Sequence, residues 1–259
     1  FITGAARGQG RSHALRLAEE GADIIAVDTL EDVPGVPYAL ATQADMEATV
    51  RLIEARGRRI VARKADVRNF EELKRAVDEG VAELGRLDIV NANAGISGPM
   101  APTVDLEESA WRNMIDINLT GVWHTAKAAI PHLLGGGRGG SIVITSSVAG
   151  LKGMANIGHY VAAKHGVVGL MRTLALELGD QNIRVNTIHP TQVDTPMIMN
   201  EATMRLVRPD LGEPTMEDFA EAAAALNLLP VPWAESTDMS NALLFLVSDD
   251  ARYITGVPL

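Results

Sequence analysis

The sequence predicts an α/β fold in which one parallel sheet carries helices on both faces. Three observations point there. Short β-branched runs alternate with long amphipathic stretches; the first run ends in a glycine-rich turn that opens a helix; and no repeat, low-complexity tract or linker divides the 259 residues. A parallel strand can follow another only through a long crossover, so alternation of this kind builds a parallel sheet.

The expected strands are "FI" (1–2), "ADIIAV" (22–27), "RIVARK" (59–64), "LDIVNA" (87–92), "SIVIT" (141–145) and "IRVNTI" (183–188). Each is short, β-branched and nearly continuous in apolar character, as strands buried on both faces are. Helical periodicity falls on 9–20, 45–56, 70–84, 107–134 and 157–179, with a last helix in "STDMSNALLFLVSDD" after residue 235. Two segments break the rhythm. Residues 29–44, "TLEDVPGVPYALATQA", hold two prolines where a short connection is usual. Residues 195–235 form a long excursion after the sixth strand. Long connections in compact folds are often binding loops, so 29–44 is expected to be an insert over a ligand and 195–235 a mobile helical lid over a substrate.

Composition narrows the function classes. A formal charge of −10, with no Lys/Arg cluster, argues against nucleic acid or an anionic membrane as partner. The absence of Cys removes disulfides and thiol chemistry and suits a reducing cytoplasm. No apolar run approaches the roughly 18 residues of a membrane span. No His/Glu or Cys/His spacing suggests a metal, so none is expected. Phe1 and Ile2 read as the tail of a strand that begins before the chain, and Val257-Pro258-Leu259 also stops abruptly.

The first strand runs into "TGAARGQG" (3–10). Gly4, Gly8 and Gly10 make a strand–turn–helix joint whose missing side chains let a pyrophosphate approach the helix N-terminus; Arg7 and Gln9 lie within it. Asp28 ends the second strand and Thr29 and Leu30 follow, where a carboxylate accepts hydrogen bonds from an adenosine ribose. Arg7 could instead meet a 2′-phosphate, but Asp28 would repel that group and Thr29 adds no second cation. NAD is therefore favoured over NADP. Asp66 and Val67 in "ADV", and Asn93, Ala94 and Gly95 in "NAG", end strands three and four at the sheet edge where such folds bind ligands. The expected architecture is a single Rossmann-type doubly wound parallel sheet spanning residues 1–259.

"HYVAAKHG" (159–166) places Tyr160 four residues before Lys164, on one helix face. Ser147 in "ITSSVAG" stands thirteen residues before Tyr160, and Asn118 lies in "INLTG". With the glycine turn in front, this order resembles the short-chain dehydrogenase/reductase family along essentially the whole chain. "TGAARGQGRSHA", the insert after Asp28, "GHYVAAKHG" and "IHPTQVDTPM" further resemble its carveol-dehydrogenase-like, mycofactocin-coupled subfamily. Two positions depart from many relatives: Ala92 stands before Asn93, removing one sheet-linking amide, and Thr191 follows Pro190.

The resemblance implies a catalytic set of Asn118, Ser147, Tyr160 and Lys164, with Pro190, Val193 and Thr195 beside the nicotinamide. It implies oxidation of a secondary alcohol with tightly held NAD, with mycofactocin as external electron acceptor, and a homotetramer. Tyr160 as phenolate would take the hydroxyl proton, its pKa lowered by Lys164 and the oxidised nicotinamide. Lys164 would also hold the nicotinamide ribose, Ser147 the substrate oxygen, and Asn118 a relay water. Five methionines between 197 and 239, with Phe219, Leu226 and Trp233, suggest a lid suited to apolar cyclic alcohols and ketones. Two rivals remain at this stage: a conventional reductase exchanging NAD(P)H freely, and a non-enzymatic nucleotide sensor. An intact Tyr–Lys–Ser–Asn set speaks against the second.

Overall fold

The computed structural model describes residues 1–259. Its strands are β1 (Ile2–Thr3), β2 (Ile24–Asp28), β3 (Ile60–Lys64), β4 (Ile89–Ala92), β5 (Gly140–Thr145) and β6 (Ile183–Ile188). All pair in parallel in the order β3-β2-β1-β4-β5-β6. Because β1 pairs with both β2 and β4, the winding reverses between β1 and β4, and the carboxyl ends of those strands open a crevice. The last residues extend this sheet: Thr187 N–H donates to Val257 O and Leu259 N–H to Thr187 O, which lays the tail beside β6.

The helices are α1 (Gly8–Glu19), α2 (Gln43–Glu54), α3 (Phe70–Leu84), α4 (Glu108–Ile115), α5 (Gly121–Gly136), α6 (Gly158–Leu178), α7 (Glu201–Val207), α8 (Met216–Ala224) and α9 (Ser236–Val247). They bury two apolar layers. Val27, Val90, Ile142, Ile144 and Val185 face one with α3, α5 and α6, and Ile2, Ile24, Ala26, Val143 and Ile188 face the other with α1, α2 and α9. The alternation of neighbours along β2 (Ile24 to one side, Ile25 to the other) is the period-2 geometry of a strand covered on both faces.

The single helix expected over 107–134 is three pieces. A π-turn, Asp116–Thr120, joins α4 to α5, with Gly121 N–H bonded to Asp116 O five residues back. Gly121 lets it close against the sheet side: a Cβ there would lie 2.6 Å from Val67 Cγ2. Such bulges recur at functional sites, and this one carries Asn118.

Residues 195–235 fold as a flap with a closed neck. Asp194 N–H donates to Ala234 O and Ala234 N–H to Gln192 O, so the excursion leaves and re-enters at one point. Inside it, Phe219 is fully buried and stacks on Trp233 with ring centroids 5.6 Å apart. These two aromatics are the flap's own core and do not line the cleft. Of the four flap methionines only Met197 does.

Candidate active site

A cleft of about 530 Å³ opens beyond the carboxyl ends of the strands, within the range of small-molecule and cofactor sites. At one end stands the glycine turn. Gly4 and Gly8 have φ of +67° and +55°, and a Cβ on Gly10 would lie 2.0 Å from Gly4 O, so the turn tolerates no side chain at that point. The α1 N-terminus has no side-chain cap and no acidic residue in its first turn. Its orphan N–H groups and partial positive charge are therefore available to an anion. Arg11, which the sequence reading passed over, donates to Ala6 O, Asp45 O and Thr49 Oγ1, stapling the turn to α2.

Asp28 is buried at the end of β2 and accepts Ala6 N–H on Oδ2 (3.1 Å) and Leu30 N–H on Oδ1 (3.4 Å). Burial pushes its pKa up, while these backbone donors pull it down. Thr29 lines the cleft; Leu30 does not, its side chain packing on the α1–α2 side. Asp66 and Val67 line the next stretch of wall. The Asp66 carboxylate is held by a bidentate pair with Arg68, which keeps its pKa low against the effect of burial. That partner was legible only as a basic residue two positions on.

Asn93, Ala94 and Gly95 also line the cleft. Asn93 Nδ2 donates to Thr3 O (3.0 Å) and its Oδ1 accepts from Thr145, joining β1, β4 and β5 at their ends. The amide missing at Ala92 is matched one residue earlier, where buried Asn91 Nδ2 donates to Val143 O (3.1 Å).

At the other end Ser147, Tyr160 and Lys164 meet. Ser147 caps a short 3₁₀ turn (Val148–Gly150) by accepting Ala149 N–H. Its carbonyl accepts from His189 Nδ1 at 2.7 Å, so His189 carries its proton there and accepts the Thr187 hydroxyl on Nε2. His189 is a second supporting residue that the sequence pattern did not mark. Lys164 is buried on α6, its ammonium donating to Thr145 O (2.8 Å) and standing 5.6 Å from the Tyr160 ring centroid. Burial pushes Lys164 down to about 8 and the Tyr160 phenol up to about 12, the latter opposed by Ser147. The expected lowering of Tyr160 is thus not a property of the protein alone.

Asn118 sits behind this group and does not line the cleft. Its Oδ1 accepts Ile96 N–H (2.9 Å) and its Nδ2 donates to Ile96 O (2.8 Å). The absent side chain of Gly95 leaves a point 3.3 Å from Asn118 Oδ1 and 3.6 Å from Lys164 Nζ. Pro190, Val193 and Thr195 line the cleft, Thr195 packing beside the Gly8 position of the glycine turn. Thr191, which follows Pro190, lines it too. His159 is buried with both ring nitrogens unpartnered, packed beside Gly98 and Met114 and outside the cleft.

The insert crosses the cleft and is tied on both banks. Arg7 donates to Ala39 O from the α1 side. From the other side Ser97 N–H donates to Tyr38 Oη (3.1 Å) and Asn113 Nδ2 to Pro34 O (3.1 Å). Val33 is buried in the core between these ties.

A family model for short chain dehydrogenases matches residues 1–206. The chain belongs to the short-chain dehydrogenase/reductase family. It is therefore an oxidoreductase, and within the family its sequence is carveol-dehydrogenase-like. It is 61% identical to the (-)-trans-carveol dehydrogenase of Rhodococcus erythropolis over 100% of this chain and 94% of that one. Among solved structures, carveol dehydrogenase from Mycobacterium avium in complex with NAD is 57% identical with a TM-score of 0.99, covering 100% of this chain and 94% of its own. A short chain dehydrogenase from Mycobacterium paratuberculosis bound to NAD is 46% identical, TM-score 0.90, with 100% and 94% covered.

Proposed function

We propose that residues 1–259 form one NAD-binding catalytic domain that interconverts an apolar cyclic secondary alcohol and its ketone. The observation that carries this reading is the convergence of Ser147, Tyr160 and Lys164 on the same cleft as Asp28 and the glycine turn. The turn fits a dinucleotide, since its Gly10 excludes even a methyl and the uncapped α1 N-terminus meets the pyrophosphate. Asp28 accepts from the adenosine ribose, and Arg7, engaged with Ala39 O, is not free for a 2′-phosphate. Thr29, Asp66 and Val67 flank the adenosine; Asn93, Ala94, Gly95, Pro190, Val193 and Thr195 flank the rest of the nucleotide.

Bound and oxidised, the nicotinamide supplies the hydride acceptor and a positive charge. Ser147 holds the substrate oxygen and Tyr160 takes its proton. Lowering the phenol from about 12 to near 8 requires about 5 to 6 kcal/mol of differential stabilisation of the phenolate. Cations are the groups that provide it, so Lys164 acts in its charged form while also binding the nicotinamide ribose. Asn118 Oδ1 and Lys164 Nζ both lie close to the Gly95 position, and the family resemblance makes a relay water held by Asn118 the proton's outlet. Met100, Met154 and Met197, from three separate segments, make the substrate wall apolar and adaptable. Ring alcohols such as carveol therefore outcompete small α-hydroxy acids, whose charge would lie beside the reacting carbon.

The tied insert supports a cofactor that leaves slowly, with Leu30 fixing its first turn. Retained NADH is then reoxidised in place, and the resemblance to the mycofactocin-coupled subfamily makes mycofactocin the candidate acceptor. Exposed Trp123 and Leu134 on α5 and Leu176 on α6 support burial between copies in a homotetramer, and a chain without Cys suits the reducing cytoplasm. Sedimentation giving a concentration-independent monomer removes the assembly. The test of function is to identify the cofactor released on denaturation, then dialyse the protein, add a cyclic alcohol and compare free NAD with an electron-accepting dye. One turnover with NAD and many with the dye is expected; rapid turnover with NAD alone returns the protein to the exchangeable class, and no oxidation by either defeats the reading.

A further inference from the structure

Four of the five lysines have a partner. Lys64 pairs with Glu31, Lys74 with Asp78, Lys127 lies over the Phe70 and Trp123 rings, and Lys164 donates to Thr145 O. Lys152 has none, although the chain carries 33 carboxylates. Its place is specific. It is exposed and lines the cleft, as Met100, Met154, Ile157, Met197 and Leu206 also do. The two carboxylates that line the cleft, Asp28 and Asp66, stand at the ends of β2 and β3, at the adenosine end. The other cations of the lining are committed: Arg7 to Ala39 O and Lys164 to Thr145 O.

The backbone under Lys152 is fixed relative to the reacting groups. Lys152 N–H closes onto Val148 O (3.2 Å), and Val148 N–H is bonded to Pro190 O (3.0 Å), so the lysine starts one turn beyond Ser147. As an exposed lysine lining an apolar cleft, it can lay its stem on the wall and keep its ammonium in water. A neutral alcohol would leave that charge unused.

We propose that Lys152 reads an anionic group at the end of the substrate remote from the carbinol carbon, so that ring alcohols with a distal carboxylate are a substrate class of this cleft. The proposal rests on the alcohol-oxidising reading above and adds a specificity residue to it. Such a charge lies away from the apolar contacts around the reacting carbon. It also binds ground state and transition state alike, so Lys152 acts on KM and not on kcat.

The test uses the full-length protein with NAD or the dye as acceptor. Kinetics are measured for 4-hydroxycyclohexanecarboxylate and its methyl ester, in the wild type, Lys152→Ala and Lys152→Glu. An exposed ion pair predicts about a two- to fivefold preference for the carboxylate in kcat/KM at low salt, expressed in KM and lost in high salt. The preference should vanish in Lys152→Ala and invert in Lys152→Glu. Binding of unreactive cyclohexanecarboxylate, measured by calorimetry, separates the two layers of the claim. Lys152-dependent binding without turnover of any alcohol would uphold Lys152 as the reader of the anion and defeat the oxidation reading. Turnover of cyclohexanol with the same carboxylate-to-ester ratio in all three proteins would overturn the proposal. So would a Lys152→Ala variant whose NAD affinity falls while the ratio holds, since that would place the lysine on the cofactor.

Discussion

The ties on the insert predict how fast the cofactor leaves. Tyr38→Phe keeps the ring, and so its packing, but removes the oxygen that accepts Ser97 N–H at 3.1 Å. A partly buried neutral hydrogen bond contributes about 0.5–1.5 kcal/mol, which corresponds to a roughly two- to thirteenfold faster release if it breaks when the insert opens. Arg7→Met keeps an apolar stem and removes the donor to Ala39 O. That bond is charge-assisted yet solvent-exposed, so its loss should accelerate release by about tenfold or less. Both ties hold one segment against opposite banks, and opening needs both to break. The double variant should therefore come close to the product of the single effects. The assay is stopped-flow displacement of bound NADH by excess NAD, followed by nicotinamide fluorescence. Release rates within twofold of the wild type in both single variants would refute the idea that these bonds gate the cofactor.

Three other outcomes follow from residues around the site. Asp28→Asn removes the charge but keeps an acceptor for Ala6 N–H, and should narrow the preference for NAD over NADP by about tenfold in Kd ratio; an unchanged ratio shows that another group reads the ribose. Gly10→Ala places a methyl on Gly4 O and near Asn93 Nδ2, and should weaken NAD binding by at least about a hundredfold in titration calorimetry. His13, fully buried between α1 and α9 and bonded to Ser240, is pushed down to about 3 by burial. Below pH 6.5 the unfolded chain takes up a proton there that the folded protein refuses. Stability should therefore fall by about 1.4 kcal/mol per pH unit from 6.5 towards 3, and His13→Gln should flatten the urea midpoint against pH across that window.

The strands were legible because each is a short β-branched run buried on both faces, and the observed ends fall within two residues of those expected. The π-turn was not, since apolar periodicity through 107–134 continues across it and only the bond from Gly121 to Asp116 marks the bulge. Ser147, Tyr160 and Lys164 were legible through their order and spacing. Arg11, Arg68 and His189 were not, because each acts through backbone or carboxylate partners that the fold brings near without any local pattern. The flap shows the limit of composition: its methionines and aromatics suggested a substrate wall, yet Phe219 and Trp233 are needed to hold the flap together. The insert's length marked it as a binding segment, but its anchoring by buried Val33 and by the tie from Tyr38 to Ser97, residues 59 apart, had no local pattern.

The central claim is that Tyr160 is the acid/base of a secondary-alcohol dehydrogenase built on this cleft. It is tested most directly by the initial rate of carveol oxidation by Tyr160→Phe, in protein shown by calorimetry to bind NAD as the wild type does. The phenylalanine preserves ring volume and removes only the hydroxyl, so folding and nucleotide binding should persist. The account predicts a loss of about a thousandfold or more in rate, in line with the removal of a positioned acid/base. A variant that binds NAD normally and retains more than a few per cent (~5%) of the wild-type rate would contradict it, because general acid–base catalysis of that size could not then reside in Tyr160.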